Sequence, residues 1–170
     1  LVTDASLTSG VDYGFAYWAH GTAGFSRWNG NHKTGSGSAT PCSSYNCLKV
    51  PIQKGGAAQI AKMIDTVSPG GGTDADAFMK IAQQYLLNST YTPIDSNSID
   101  CQKSYVVVIG DGDWYNHSRA VAKASNLFKV HGIRTYTVAF GTGISSSGLR
   151  NFNALAVAGG TTKAIVATTG

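Results

Sequence analysis

The stretch Ser104-Tyr105-Val106-Val107-Val108-Ile109-Gly110-Asp111-Gly112-Asp113 decides the fold of this chain. An apolar run with three successive valines extends without a break from Tyr105 to Ile109. β-Branched side chains favour extended backbone, and an unbroken apolar run fits a central parallel strand covered on both faces. Downstream, Val121, Ala124, Leu127 and Phe128 fall at helical spacing, with Gly132 as the C-terminal cap of that helix. Arg134 to Phe140 is the next strand. Leu149, Phe152 and Ala156 mark another helix, closed by Gly159-Gly160, and Ala164 to Ala167 a last strand. Strand, helix, strand, helix, strand with short connections predicts a parallel α/β sheet with right-handed crossovers.

Upstream the order is less regular. Val11 to Trp18 alternates, with Tyr13, Phe15 and Tyr17 on one face, as a strand does. Thr22 to Trp28 reads as its hairpin partner across a turn near His20 and Gly21. Residues 29–47 form a polar loop insertion rich in Gly, Ser, Asn and Thr, and Leu48 to Ile52 a short strand. Ala57, Ile60, Ala61, Ile64 and Val67 share one helical face, and Ser68-Pro69 ends that helix. After Gly70-Gly71-Gly72-Thr73, Asp74 opens a further helix with Ala75, Phe78, Met79, Ala82 and Leu86 on its apolar face. Early acidic residues there favour the helix dipole. Asn88 to Asp100 is a polar connection.

A chain of 170 residues with 42% hydrophobic content reads as one domain, residues 1–170, with a single core. Charged residues are only 13% of it, about half the usual share, which suits a secreted or cell-surface protein. The net charge of +4 is spread along the chain without a basic run, which speaks against nucleic acid as a partner. No segment is long and apolar enough to span a membrane, and no signal peptide is present. The chain opens without Met, as expected of a mature product or an internal fragment. Three cysteines, without a second close pair, make a zinc site a poor reading. A Cys42–Cys47 disulfide is the first expectation, leaving Cys101 free or bonded outside the chain.

The chemistry gathers at two loop tips. In parallel sheets ligands sit beyond the carboxyl ends of the strands, where Asp111 falls. Thr73 precedes a helix at a rim of the same sheet, behind glycines that leave its hydroxyl uncovered. Hydroxyl, carboxylate and water are oxygen donors and suit Mg²⁺, Mn²⁺ or Ca²⁺. Read separately, Thr73 or Asp74 caps a helix and Asp111-Gly112 turns the chain; read together, they make half of a cation site. Asp113 reads as an outer-shell group or a solvent-facing acid, and Trp114 and Tyr115 as ligand contacts or as packing. His20, His32, His117 and His131 lack ligand spacing, and no nucleophile triad follows from spacing.

These motifs carry a resemblance. GGGTDADAFMKIAQQYL (70–86), YVVVIGDGD (105–113), RTYTVAFGTG (134–143) and the run from Phe152 to Thr161 together resemble a von Willebrand factor type A domain. LVTDASLTSGVDYGFAYW (1–18) and the cysteine-containing polar insertion are similar in tone to type IV pilus tip adhesins. The resemblance implies a doubly wound, mainly parallel sheet flanked by helices, Rossmann-like in layout. It implies a metal-ion-dependent adhesion site with Thr73 and Asp111 as ligands of Mg²⁺ or Ca²⁺. It also implies an extracellular, bacterial cell-surface or pilus location, and a protein partner whose acidic side chain completes the metal.

The same family places Asp-x-Ser-x-Ser at the end of its first, central strand. Asp4-Ala5-Ser6-Leu7-Thr8 has similar letters, but only Ser9 and Gly10 separate it from the strand at Val11, so it reads as a turn. The chain therefore lacks its first strand and helix by this reading. Unpaired backbone groups, if buried, cost about 1–3 kcal/mol each. The expectation is that a strand comes from upstream residues or is donated by a partner. Without the aspartate-serine motif, metal is expected to bind weakly. Two other functions remain in view: a structural filament or pilus component with a vestigial site, and a Mg-dependent nucleotide-binding enzyme using the glycine loop. The second lacks the P-loop lysine.

Overall fold

The computed structural model describes residues 9–18, 47–65, 72–88, 92–98 and 100–168, with Asp4 and Val67. They fall into two compact units, Leu1–Gly71 with Gln84–Pro93, and Gly72–Gln83 with Ile94–Gly170.

In the first unit, β1 (Tyr13–Ala16) pairs antiparallel with β2 (Leu48–Gln53), Phe15 lying opposite Val50. Helix α1 (Gly56–Ile64) packs on this pair. Its Ile60 and Met63 are buried with Val50, and Tyr13 and Phe15 lie against them. A side chain at Gly56 would collide with the Tyr13 carbonyl, so only glycine lets the helix begin this close to β1. Tyr85 belongs to this unit, and its hydroxyl accepts a hydrogen bond from Ile52 N at 3.0 Å. Lys49 on β2 is fully buried, with Nζ 4.8 Å from the centre of the Tyr17 ring. Burial lowers its ammonium pKa, while the ring face favours the cation. The expected hairpin partner Thr22 to Trp28 lies outside the described residues; among the described residues β1 pairs with β2.

The second unit is mixed α/β. It holds α2 (Ala75–Leu86) through Gln83, then β3 (Tyr105–Gly110), α3 (His117–His131), β4 (Arg134–Phe140), α4 (Ser146–Ala158) and β5 (Ile165–Ala167). The strands form a parallel sheet in the order β3-β4-β5, with Tyr105 opposite Arg134 and Val138 opposite Ile165. Helices flank the sheet, a layout compatible with a Rossmann-like fold. Gly132 ends α3 at φ 69°, the left-handed cap its position demands.

Helices α3 and α4 pack on each other and on β4. Val108, Thr135, Thr137 and Ala139 are buried, and Thr137 Oγ1 donates to Phe152 O of α4 at 3.1 Å. Helix α2 meets α3 through Gln83 Nε2, which donates to Asn126 Oδ1 at 2.8 Å, and through an Asp76–Lys123 ion pair.

The expectation that β3 is central and covered on both faces does not hold. Tyr105, Val107 and Ile109 are each about half exposed, at 51%, 52% and 54%. β3 is an edge of the sheet among the described residues. Successive right-handed crossovers running one way across a sheet lay their helices on the same face. The side chains of alternate β3 residues point to the other face and gain no cover.

Candidate functional site

The site is built at the carboxyl end of β3. A Cβ at Gly110 would sit 3.1 Å from Phe152 Cζ, so the strand ends with its backbone pressed against that ring. Asp111 follows and is exposed. Trp114 then turns inward, 7% exposed, between Phe78 of α2 at 5.4 Å and Phe152 of α4 at 4.1 Å. Edge and offset contacts of this kind add to plain burial. They fix the loop that carries Asp111. The indole Nε1 also donates to His117 Nδ1 at 3.4 Å.

Next to Trp114, Tyr115 N donates to Thr73 O at 3.1 Å, and Ala75 N donates to Tyr115 O at 3.0 Å. This two-bond parallel bridge lays the glycine–threonine tip alongside the loop after β3. Thr73 is half-buried and Asp111 is exposed.

Between them in chemistry lies Asp74, fully buried. Its Oδ1 accepts from Asp76 N at 3.0 Å, which caps α2, and from Asn116 Nδ2 at 3.0 Å. Its Oδ2 is buried and has no hydrogen-bond partner among the described residues. An unsatisfied buried acceptor costs about 1–3 kcal/mol, more if charged, and a donor or a cation would relieve that cost. Asn116, directly before α3, holds φ 57°, the left-handed region. Asparagine tolerates that conformation better than most side chains.

Asp113 is exposed but engaged. Both its oxygens accept from Ser145 Oγ, at 2.6 and 2.9 Å. Ser145 in turn caps α4, accepting from Gly148 N at 2.9 Å. A side chain at position 148 would strike Asp113, so glycine there lets the two loop ends meet. Asp113 thus serves to dock the β3 loop on the start of α4.

Sequence reading brought Thr73 and Asp111 forward; the structure puts both in the second unit, with the Thr73 backbone bonded to Tyr115, in the same loop as Asp111. It placed Asp74 at the start of α2 as a cap, which the bond from Asp76 N bears out, but missed the burial of that carboxylate, its Asn116 partner and the buried Lys49. Asparagine before a helix is a capping signal that marks Asn116, whereas burial of Asp74 has no local signature. Of the Asp4-Ser6-Thr8 set, Asp4 is exposed and the other two lie outside the described residues, as do Gly70, Gly71, His20 and His32. Cys101 is an exposed free thiol and Cys47 is buried; Cys42, the expected disulfide partner of Cys47, lies outside the described residues.

Among the described residues no group of three His, Cys, Asp or Glu side chains is placed to hold a metal. What the rim carries is the half-buried Thr73 and the exposed Asp111 carboxylate, while Asp74 is fully buried. Oxygen donors of this kind suit a hard cation rather than zinc. No protein-family model matches the chain, and no curated protein matches it.

Proposed function

We propose that the chain is a non-enzymatic, cation-dependent binding domain of the von Willebrand factor A kind, acting in adhesion at a bacterial cell surface, with a type IV pilus tip as its setting. One observation supports this reading above the others. The Thr73 tip is hydrogen-bonded to the loop that carries Asp111, at the end of the sheet where ligands of parallel α/β folds collect. Thr73 offers its hydroxyl, and Asp111 its carboxylate, directly or through water. Asp74 and Asn116 hold the two loops in register. Trp114 keeps the base of the site dry and fixed, while the exposed Tyr115 borders the rim. A bound Mg²⁺ or Ca²⁺ supplies an open coordination position for a carboxylate of the partner.

Calorimetric titration of the chain with Mn²⁺ or Ca²⁺ tests this. Weak binding, with Kd on the order of 10⁻⁴–10⁻³ M, is expected, as in extracellular calcium modules. Thr73→Ala and Asp111→Ala should each weaken it by roughly tenfold or more, a loss of about 1.4 kcal/mol. Asp113→Ala should leave it near the wild-type value. No cation uptake by the wild type, or equal uptake by the Thr73 and Asp111 variants, would end the adhesion reading. In that case the structural-component reading takes its place, favoured by the exposed apolar face of the second unit's sheet.

A further inference from the structure

The outer side of β3 is unpaired among the described residues, because the sheet order is β3-β4-β5. Nothing along the strand guards it. Tyr105–Gly110 has no lysine and no proline, and its register with β4 runs unbroken, without a bulge. Exposed edges usually carry one of these devices against further pairing. Tyr105, Val107 and Ile109 project from the uncovered face, which Phe140 (45% exposed) and Ile165 (56%) extend across the other strands. The charges sit at the two ends instead. Lys103 precedes the strand and Asp111 follows it; both are exposed, and neither forms an ion pair among the described residues.

This layout is self-complementary. Consider two copies of β3 running antiparallel about a two-fold axis at Val107. Val107 then faces its own copy, Tyr105 faces Ile109, and Lys103 faces Asp111 at both ends. Residues directly opposite in an antiparallel pair share a face of the sheet. Tyr105, Val107 and Ile109 alternate onto one face within the strand, and the exposed Lys103 and Asp111 flank it at its two ends. A slip of one residue sets Lys103 opposite Gly112, not Asp111. It also turns the apolar faces of the two copies to opposite sides.

We propose that β3 pairs edge to edge with β3 of a second copy of this chain, in the register that sets Lys103 opposite Asp111. The two three-stranded sheets join into one, with a continuous apolar face on one side. A closed two-fold contact of this kind ends at the dimer, because each edge is consumed by its mate. The inference stands apart from the cation reading, although both use Asp111: a cation there would compete with Lys103 of the second copy.

Sedimentation equilibrium in excess chelator, from about 1 μM to 1 mM protein, tests it. A reversible monomer–dimer equilibrium is expected. Val107→Lys sets like charges opposite each other on the axis and should give monomer throughout. Lys103→Glu should weaken the dimer roughly threefold to tenfold, and Lys103→Glu combined with Asp111→Lys should return it to within about twofold of wild type. Circular dichroism checks that each variant folds; Val107 and Lys103 are exposed, and the charge pair carries the test if Val107→Lys misfolds. A wild type that stays monomeric over the whole range would overturn the proposal. So would association that survives a folded Val107→Lys, or a charge swap that restores nothing. The swapped variant also lacks the Asp111 ligand, so dimer restored without cation uptake keeps the two readings distinguishable.

Discussion

Asn116 does two jobs with one side chain. Its backbone sits at φ 57°, and its amide donates to Asp74 Oδ1 at 3.0 Å. The two can be separated by substitution. Asn116→Ala loses the hydrogen bond and forces a Cβ with no local polar compensation into the left-handed region. Asn116→Gly loses only the bond, since glycine adopts that φ freely. Chemical denaturation should show Ala costing about 2–3 kcal/mol and Gly about 1 kcal/mol less than that. Equal losses would mean the conformation is not strained. At this scale the sequence showed the letters but not their relation. Thr73 and Asp111 were legible because a glycine loop and a strand-ending aspartate are local signals. The Asp74–Asn116 bond spans 42 positions in the chain, and nothing local to either residue announces it.

Elements from Ser104 onward were readable because helix and strand periodicities are local. β4 spans Arg134–Phe140 as its residue pattern predicts, and α3 ends at the glycine that the pattern marks. β1 was readable as a strand, and its pairing with β2, more than thirty residues on, was not. The expected hairpin partner Thr22 to Trp28 lies outside the described residues. Helix-to-helix order was equally hidden. Trp114, between Phe78 and Phe152, ties α2 and α4 to the loop after β3. Trp114→Ala should cost about 3–5 kcal/mol, the range for deleting a buried aromatic side chain. It should also release the Thr73–Tyr115 bridge, seen as faster amide exchange at Tyr115 and Ala75. A loss under about 1 kcal/mol would show that the ring is not the anchor.

For the molecule as a whole, pH reaches stability through buried groups. Burial raises the Tyr85 phenol above its ordinary 10.0, against the smaller lowering effect of the hydrogen bond from Ile52 N. The unfolded chain then releases this proton at lower pH than the folded one. The stabilisation is whole below pH 10 and is lost as pH climbs through the folded value. Unfolding curves at pH 8 and above pH 10 should show the wild type losing stability in the alkaline range. Tyr85→Phe, already about 1 kcal/mol weaker at pH 8 through the orphaned Ile52 amide, should lose less of what remains. An alkaline loss unchanged in the variant would assign it elsewhere. The sequence by itself determined the alternation of elements from Ser104 onward and the parallel pairing of their strands, since periodicity, capping and crossover handedness act over short stretches of chain. Only the tertiary structure decided which face of β3 is covered, that β2 pairs with β1, and that Asp74 is buried. Those depend on where distant segments come to rest, and a residue's neighbours in space set burial and pairing whatever its own propensity.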